Sequence, residues 1–316
     1  MYKDFEKETL QDVLNRGQVT APAVFDCISE RTVELSGYKA AILQGAAFAY
    51  SSCGYPDMSL LSAEEIIYMT NRITNYSPLP IIVDADPCLG KEPSAVYWNV
   101  MRLAKSGADA VVITDVNVPY GEDRKFQKDF KLSVMSKADF LARIKAALKA
   151  VENTKCLVIA KTFAKIADNA DDLADALCRI KATRELGANI TCVEGAKTFE
   201  EAKAINKADS GLKMWNGIAV EDGKCVVEPS ALSSEGFVLI AEYYTVKAGM
   251  YGMLYYGKKT LEDGNTVFHD THDYDGLLEK GQDYHVLFSF GKLWLPMEDK
   301  FNDLSDIMAI PHEIEG

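Results

Sequence analysis

Eight short apolar runs, each followed by a longer segment with helical periodicity, recur between about residues 18 and 260. This alternation is typical of repeated βα units whose strands pair in parallel. Eight parallel strands fit a closed sheet better than an open one, so the sequence predicts an α/β fold, a (β/α)8 TIM-type barrel. The runs are residues 19–25, 40–44, 81–84, 110–114, 156–161, 190–193, 213–216 and 237–241.

The segments between the runs indicate how the barrel is completed. Residues 138–148 and 172–180 have apolar side chains at three- and four-residue spacing, which predicts outer helices. Gly37, Gly107 and Gly187 each stand between a helical segment and the next strand, where a helix end favours a residue free to adopt positive φ. Each glycine therefore supports the predicted order of elements.

Both ends of the chain depart from the repeat. Residues 5–16 predict an N-terminal helix over the bottom of the barrel. After residue 260 the sequence becomes turn-like at 261–265, and residues 284–295 have the pattern of a β-hairpin. We therefore expect a barrel catalytic domain over residues 1–260 and a C-terminal extension over residues 261–316.

Composition excludes several classes of partner. A formal net charge of −13 disfavours nucleic acid and anionic lipid as ligands. No apolar stretch reaches the roughly 18 residues of a membrane helix, and the first residues lack the apolar core of a signal peptide. Seven cysteines without paired C-x-x-C spacing favour reduced thiols. We therefore expect a cytoplasmic protein whose partner is a small molecule.

The third run ends in a pair of carboxylates. Asp84 and Asp86 follow Val83 two residues apart, at the end of a barrel strand where active sites form. Both can reach one hard cation, directly or through water, as Mg²⁺ prefers. The alternative is that Asp86 caps the next helix.

The fifth run ends in a lysine. Lys161 follows three apolar residues at the same predicted rim, where burial would disfavour its charge unless an anion lies nearby. A substrate carboxylate or Glu194, at the end of the sixth run, is the expected partner. Asn216 adds a polar group at the end of the seventh run. The alternative for Lys161 is a purely structural ion pair.

Several segments, taken in order, resemble those of a known family. Residues 83–86 are similar to its metal-binding Asp-Ala-Asp segment, and residues 106–115 parallel its strand that ends in Glu-Asp. Residues 22–26, 43–45 and 54–57 resemble its first- and second-strand motifs. In this order and spacing, the segments resemble those of the phosphoenolpyruvate mutase/isocitrate lyase superfamily, and the resemblance runs over residues 19 to 255.

The resemblance implies a particular site. Asp84 would bind Mg²⁺ while Asp57 and Asp86 hold its water ligands. Family members share a chemistry in which the metal stabilises an enolate of pyruvate or a related oxo acid. The substrate carboxylate would be received by the backbone of Gln44, Gly45 and Ala46.

The chain also departs from the family pattern. Thr114 stands where the family has a metal-site glutamate, and Lys161 replaces an arginine, which keeps the charge but loses the bidentate fork. The gating loop over residues 116–123 lacks the family's recognised acids. Its candidate proton donors, which closure would bring to the substrate, are Tyr120, Glu122 and Asp123.

We therefore predict a Mg²⁺-dependent lyase of a small 2-oxo or 2-hydroxy acid, with a phosphonopyruvate-type mutase or hydrolase as the second enzyme class. Lys161 could instead form a Schiff base without metal, or the chain could bind an oxo acid without turnover. His269 and His272 could ligate a metal, although an acidic solvated loop is favoured. The tyrosines between residues 243 and 256, read as part of the last helix, predict packing or a homo-oligomeric interface, as a dimer or tetramer.

Overall fold

A computed structural model describes residues 7–57, 59–84, 88–117, 130–268 and 295–303. The chain divides into two compact units, Met1–Tyr251 and Gly252–Gly316. In the first unit, eight parallel strands close into a barrel, each pairing with the next and the last with the first. The strands are β1 (Val19–Val24), β2 (Ala41–Gln44), β3 (Ile81–Asp84), β4 (Ala110–Thr114), β5 (Leu157–Thr162), β6 (Ile190–Val193), β7 (Lys213–Asn216) and β8 (Phe237–Glu242).

The predicted (β/α)8 barrel is confirmed. Four strands have the predicted bounds, three differ by one residue at one end, and β5 is shifted by one residue at both ends. Gly37, Gly107 and Gly187 have φ values of 89°, 92° and 107°, as their helix-ending positions required. At Gly107 an added Cβ would also stand 2.8 Å from the Thr74 hydroxyl oxygen, so both conformation and space demand glycine there.

Helices follow the strands around the barrel. The two helices predicted over residues 138–148 and 172–180 are longer, and extend to Val151 and Glu185 at their carboxyl ends. A two-stranded ribbon joins Val220–Glu221 to Lys224–Cys225 between β7 and β8. The helices are α1 (Leu10–Leu14), α2 (Cys27–Leu35), α3 (Gly45–Phe48), α4 (Ala63–Thr74), α5 (Pro93–Lys105), α6 (Lys137–Val151), α7 (Asp172–Glu185), α8 (Phe199–Ala208), α9 (Pro229–Ser234), α10 (Thr245–Asp263) and α11 (Leu295–Asn302).

The barrel interior is apolar along most of its length. Ile82, Val112, Ile159, Cys192 and Met214 belong to one buried cluster. Because strand side chains alternate between the two faces, residues two positions further along face the same interior. The next layer therefore forms the rim at the carboxyl ends of the strands.

Helix α1 closes the opposite end of the barrel. Leu10, Val13 and Leu14 are buried in the same cluster as the interior strand residues. Lys7 also pairs with Asp109, which directly precedes β4, at 2.8 Å. The predicted N-terminal helix over the bottom of the barrel is thus present, although it is shorter than residues 5–16.

The remaining predictions concern the second unit and the membrane. The predicted hairpin over residues 284–295 lies outside the described residues, except for its last residue, where α11 begins. The domain boundary at residue 260 stays a prediction.

All seven cysteines are free thiols. Among the described residues, no helix is both long and apolar enough to cross a bilayer.

Candidate active site

A ring of polar residues follows the inward-facing apolar layer at the carboxyl ends of the strands. Each member stands two residues after an interior position, and the alternation of strand side chains turns it toward the barrel mouth. Asp84, Thr114 and Lys161 are buried, whereas Glu194 and Asn216 are half-buried. Four of these residues were predicted site residues: Asp84, Lys161, Glu194 and Asn216.

Lys161 is the centre of this ring. Its Nζ lies 2.9 Å from Asp84 Oδ2 and 3.9 Å from Glu194 Oε2. Burial alone would lower the pKa of Lys161, but Asp84 and then Glu194 raise it well above its usual value. Lys161 therefore remains an ammonium group. The predicted partner Glu194 is present, but Asp84 is the nearer one.

The ring continues from Glu194 to the end of β8. Asn216 Nδ2 donates to Glu194 Oε2 at 2.7 Å, and the Tyr243 hydroxyl donates to Asn216 Oδ1. The sequence interpretation missed Tyr243, because it grouped this residue with the tyrosines of the last helix. That grouping was wrong for Tyr243, since α10 begins only at Thr245. Desolvation raises the pKa of the Tyr243 hydroxyl, which keeps it protonated.

A second charged cluster fixes the backbone beside Lys161. Asp115 is fully buried directly after β4 and accepts bonds from the Phe163 N–H at 2.8 Å and the Thr162 hydroxyl at 2.5 Å. Arg179 on α7 adds an ion pair at 3.2 Å. Burial raises the pKa of Asp115, against the opposing effect of these three donors. Because Asp115 is enclosed by these donors, we assign it a structural role.

The second-strand segment lies against β3. Gln44 is in register with Asp84 and precedes α3. A Cβ added at Gly45 would stand 3.2 Å from the Asp84 carbonyl oxygen. Glycine therefore allows the backbone of Gly45 to approach the end of β3 closely, and the predicted carboxylate-binding role of Gln44, Gly45 and Ala46 stays a prediction.

Other predicted site residues are not tested by this geometry. Asp57 is described and half-buried, and its predicted role at the metal stays a prediction. Among residues with assigned positions, no group of three carboxylate, histidine or cysteine side chains forms a metal site. The predicted residues that lie outside the described ones are Asp86, Tyr120, Glu122, Asp123, His269 and His272.

Fold and rim together define a TIM-barrel protein with a charged site at the mouth of the barrel. The family model for phosphoenolpyruvate phosphomutase matches residues 10–240. The chain therefore belongs to the phosphoenolpyruvate mutase/isocitrate lyase superfamily, as its sequence motifs predicted.

Relatives in this superfamily include lyases of small acids. The chain is 31% identical over 168 residues to an oxaloacetate decarboxylase of Paraburkholderia xenovorans, covering 53% of this chain and 54% of that protein. It is 33% identical over 129 residues to a 2-methylisocitrate lyase of Salmonella typhimurium, covering 41% and 42% respectively. The matched region thus spans about half the length of these relatives.

Solved structures agree on the fold. The structure of a phosphonopyruvate hydrolase in complex with oxalate and Mg²⁺ superposes with a TM-score of 0.71 at 20% identity, and covers 94% of this chain and 96% of that chain. At this identity the likeness concerns the fold alone.

Proposed function

We propose that the protein is a Mg²⁺-dependent lyase that makes or breaks a carbon–carbon bond beside the carboxylate of a small 2-oxo or 2-hydroxy acid. The observation that carries this proposal is the buried Lys161 ammonium at the barrel mouth, held by Asp84 and Glu194. In a chain with a net charge of −13, a fixed cation at this place favours an anionic substrate. Relatives that act on oxaloacetate and methylisocitrate support the same substrate class.

Lys161 acts in this proposal as an electrostatic clamp. Its ammonium would bind a carboxylate or developing oxyanion of the substrate by a charge-assisted bond. A Schiff-base mechanism is disfavoured, because it needs an unprotonated amine, whereas the neighbouring carboxylates raise the Lys161 pKa. The backbone at Gln44, Gly45 and Ala46 would hold the substrate carboxylate on the side of β2.

The donor set fits a hard cation. Asp84 is a carboxylate at the barrel mouth, the ligand type that Mg²⁺ prefers, and Lys161 bonds to its Oδ2. Asp57 and Asp86 would hold water ligands of the ion. A bound Mg²⁺ supplies Lewis-acid stabilisation of negative charge on a substrate oxygen. The proton donor is proposed to come from Tyr120, Glu122 or Asp123.

Two other functions have support of their own. The match to the phosphoenolpyruvate phosphomutase family favours a phosphonopyruvate-type mutase or hydrolase as the second enzyme class. The neutral Thr114 at the end of β4, where the family has a glutamate, favours an oxo-acid-binding member without turnover. All three share the site around Lys161.

Activity assays separate these functions. Purified protein is tested for turnover of oxaloacetate, 2-methylisocitrate and phosphonopyruvate, with Mg²⁺ and with chelator, and for oxalate binding by calorimetry. We expect Mg²⁺-dependent release of pyruvate from one of the two carboxylic substrates. Turnover of phosphonopyruvate alone would support the second class, and oxalate binding without any turnover would support a binding protein. Absence of both turnover and oxalate binding would refute the proposal.

A further inference from the structure

A chain of polar contacts runs along the barrel mouth from the end of β8 to β3. Tyr243 donates to Asn216, Asn216 donates to Glu194 at 2.7 Å, and Glu194 lies 3.9 Å from Lys161. Lys161 ends the chain on Asp84 at 2.9 Å. The contacts join residues at the ends of five strands, and Tyr243 is separated from Asp84 by the other three residues of the series.

The direction of each hydrogen bond follows from chemistry. An ionised carboxylate can only accept, so the Asn216 group facing Glu194 must be the amide nitrogen. The amide oxygen consequently faces Tyr243, and the tyrosine hydroxyl must donate to it. This arrangement uses one N–H of Asn216 for Glu194. Among residues of the described ranges, none accepts the other N–H.

Gly217 lies beside the Tyr243 ring and needs glycine for its backbone conformation. Gly217, directly after β7, has a φ of 80°, and its N–H donates to the Ala241 carbonyl at 3.0 Å. A Cβ at Gly217 would lie 3.7 Å from the Tyr243 ring. The ring thus rests against the bare backbone of Gly217 while 36% of the residue stays exposed at the mouth.

We propose that Tyr243 is a positioning residue that holds the Asn216 carboxamide with its nitrogen toward Glu194 and its second N–H available to an anionic substrate oxygen. Without the hydroxyl, the carboxamide would keep its bond to Glu194 but lose the donor to its oxygen, so that the plane of the amide and the direction of its second N–H would no longer be fixed. The inference rests on the proposed function, because the oriented N–H serves an oxo-acid ligand.

Tyr243→Phe removes the hydroxyl and keeps the ring. We expect oxalate affinity, measured by calorimetry with Mg²⁺, to fall roughly five- to tenfold, the usual effect of one neutral hydrogen bond. For a turned-over substrate, the loss should appear mainly in KM. The matched control is Tyr244→Phe, since Tyr244 is 42% exposed and lies against Tyr38. We expect oxalate affinity to be unchanged in this control.

Two double-mutant cycles test whether Tyr243 acts through its neighbours. In the Asn216→Ala background, Tyr243→Phe should have no further effect on oxalate affinity. In urea unfolding, Tyr243→Phe should change the effect of Glu194→Gln, because the hydroxyl orients Glu194 through Asn216. The positioning role would be overturned if Tyr243 and Asn216 were coupled in the free energy of unfolding but not in oxalate affinity. It would also be overturned if Tyr244→Phe lost as much oxalate affinity as Tyr243→Phe.

The two proposals fail differently. If the wild-type protein binds no oxalate, the proposed function fails, and the positioning inference, which rests on it, fails with it. If oxalate binds but Tyr243→Phe leaves its affinity unchanged, the positioning inference fails while the proposed function stands.

Discussion

The Lys161 ammonium reaches past the end of β4 to the carboxylate of Asp84 on β3, and Nζ and Oδ2 lie 2.9 Å apart. Thr114, the β4 residue in register with Lys161, is short and uncharged. Lys161 and a metal ion at this rim would therefore compete for the Asp84 carboxylate. The effects expected for Lys161→Met and Asp84→Asn follow from that competition.

Replacing Lys161 with Met removes a cation next to Asp84 and keeps the length of the side chain. We expect Mg²⁺ affinity, measured by calorimetry without substrate, to rise about tenfold because a repulsion is lost. Oxalate should bind roughly ten- to a hundredfold more weakly, because a charge-assisted bond worth about 1.5 to 3 kcal/mol is gone. Lys137→Met, which removes an exposed lysine, is the control. Unchanged oxalate affinity would exclude Lys161 from the site.

Lys161→Arg tests the same residue by a conservative change. Arginine keeps the charge, so turnover should largely survive if Lys161 is a clamp. A complete loss of turnover in the arginine variant, together with borohydride trapping of the wild type by an oxo acid, would support the Schiff-base mechanism instead.

Asp84→Asn should abolish Mg²⁺ binding. The same change should destabilise the protein by about 1 to 3 kcal/mol, because Lys161 loses its nearer counter-ion in a buried position. The effect on stability should be smaller when Lys161→Met is already present, and urea unfolding of the two single variants and the double variant measures it. Retention of wild-type Mg²⁺ affinity in Asp84→Asn would remove Asp84 from the metal site.

Because of the buried carboxyl of Glu30 on α2, we expect the free energy of unfolding to depend on pH. Glu30 is fully buried, Ser77 donates to its Oε1, and within the described part of the chain no group meets hydrogen-bond geometry at its Oε2. Burial raises the pKa of this carboxyl above its usual value, against the opposing effect of hydrogen bonds from Ser77 and Tyr76. A raised folded-state pKa of an acid means that ionisation opposes folding. The penalty is absent below the unfolded pKa and complete above the folded one.

Glu30→Gln should therefore reduce the loss of stability as pH rises from about 4.5. At neutral pH we expect the variant to be more stable than the wild type by roughly 1 kcal/mol, since an unpaired buried charge is removed at the cost of an unpaired amide. Urea unfolding at several pH values measures this. Glu185→Gln, on an exposed position of α7, is the control. A parallel pH profile in Glu30→Gln and wild type would contradict the prediction.

Exposed apolar side chains on α10 support the predicted homo-oligomer. Tyr251 and Met253 are 74% and 71% exposed, an arrangement typical of surfaces that are covered in an assembly. We expect light scattering at micromolar concentration to give the mass of a dimer or tetramer. Tyr251→Lys with Met253→Lys should shift the mass toward the monomer. A monomeric wild type would contradict the prediction.

Local sequence signals predicted the strands and the rim, but not the contacts across it. Each of Asp84, Lys161, Glu194 and Asn216 ends or directly follows an apolar run, so strand periodicity located them individually. Which carboxylate lies nearest to Lys161 depends on how far its side chain extends across β4. That distance is a property of the folded structure and cannot be read from a single sequence. Tyr243 was missed because the tyrosines that follow it led us to assign it to the last helix. Its contact with Asn216 arises instead from the pairing of β7 and β8.

The closure of the barrel by α1 has a kinetic consequence. Leu10, Val13 and Leu14 fill the lower end, and apolar side chains fill the interior above them. Within the barrel unit, the proposed small acid would therefore reach Lys161 from the rim, and its products would have to leave in the same direction. A new substrate molecule could enter only after the last product had left. That last product should consequently inhibit by competing directly with the incoming acid.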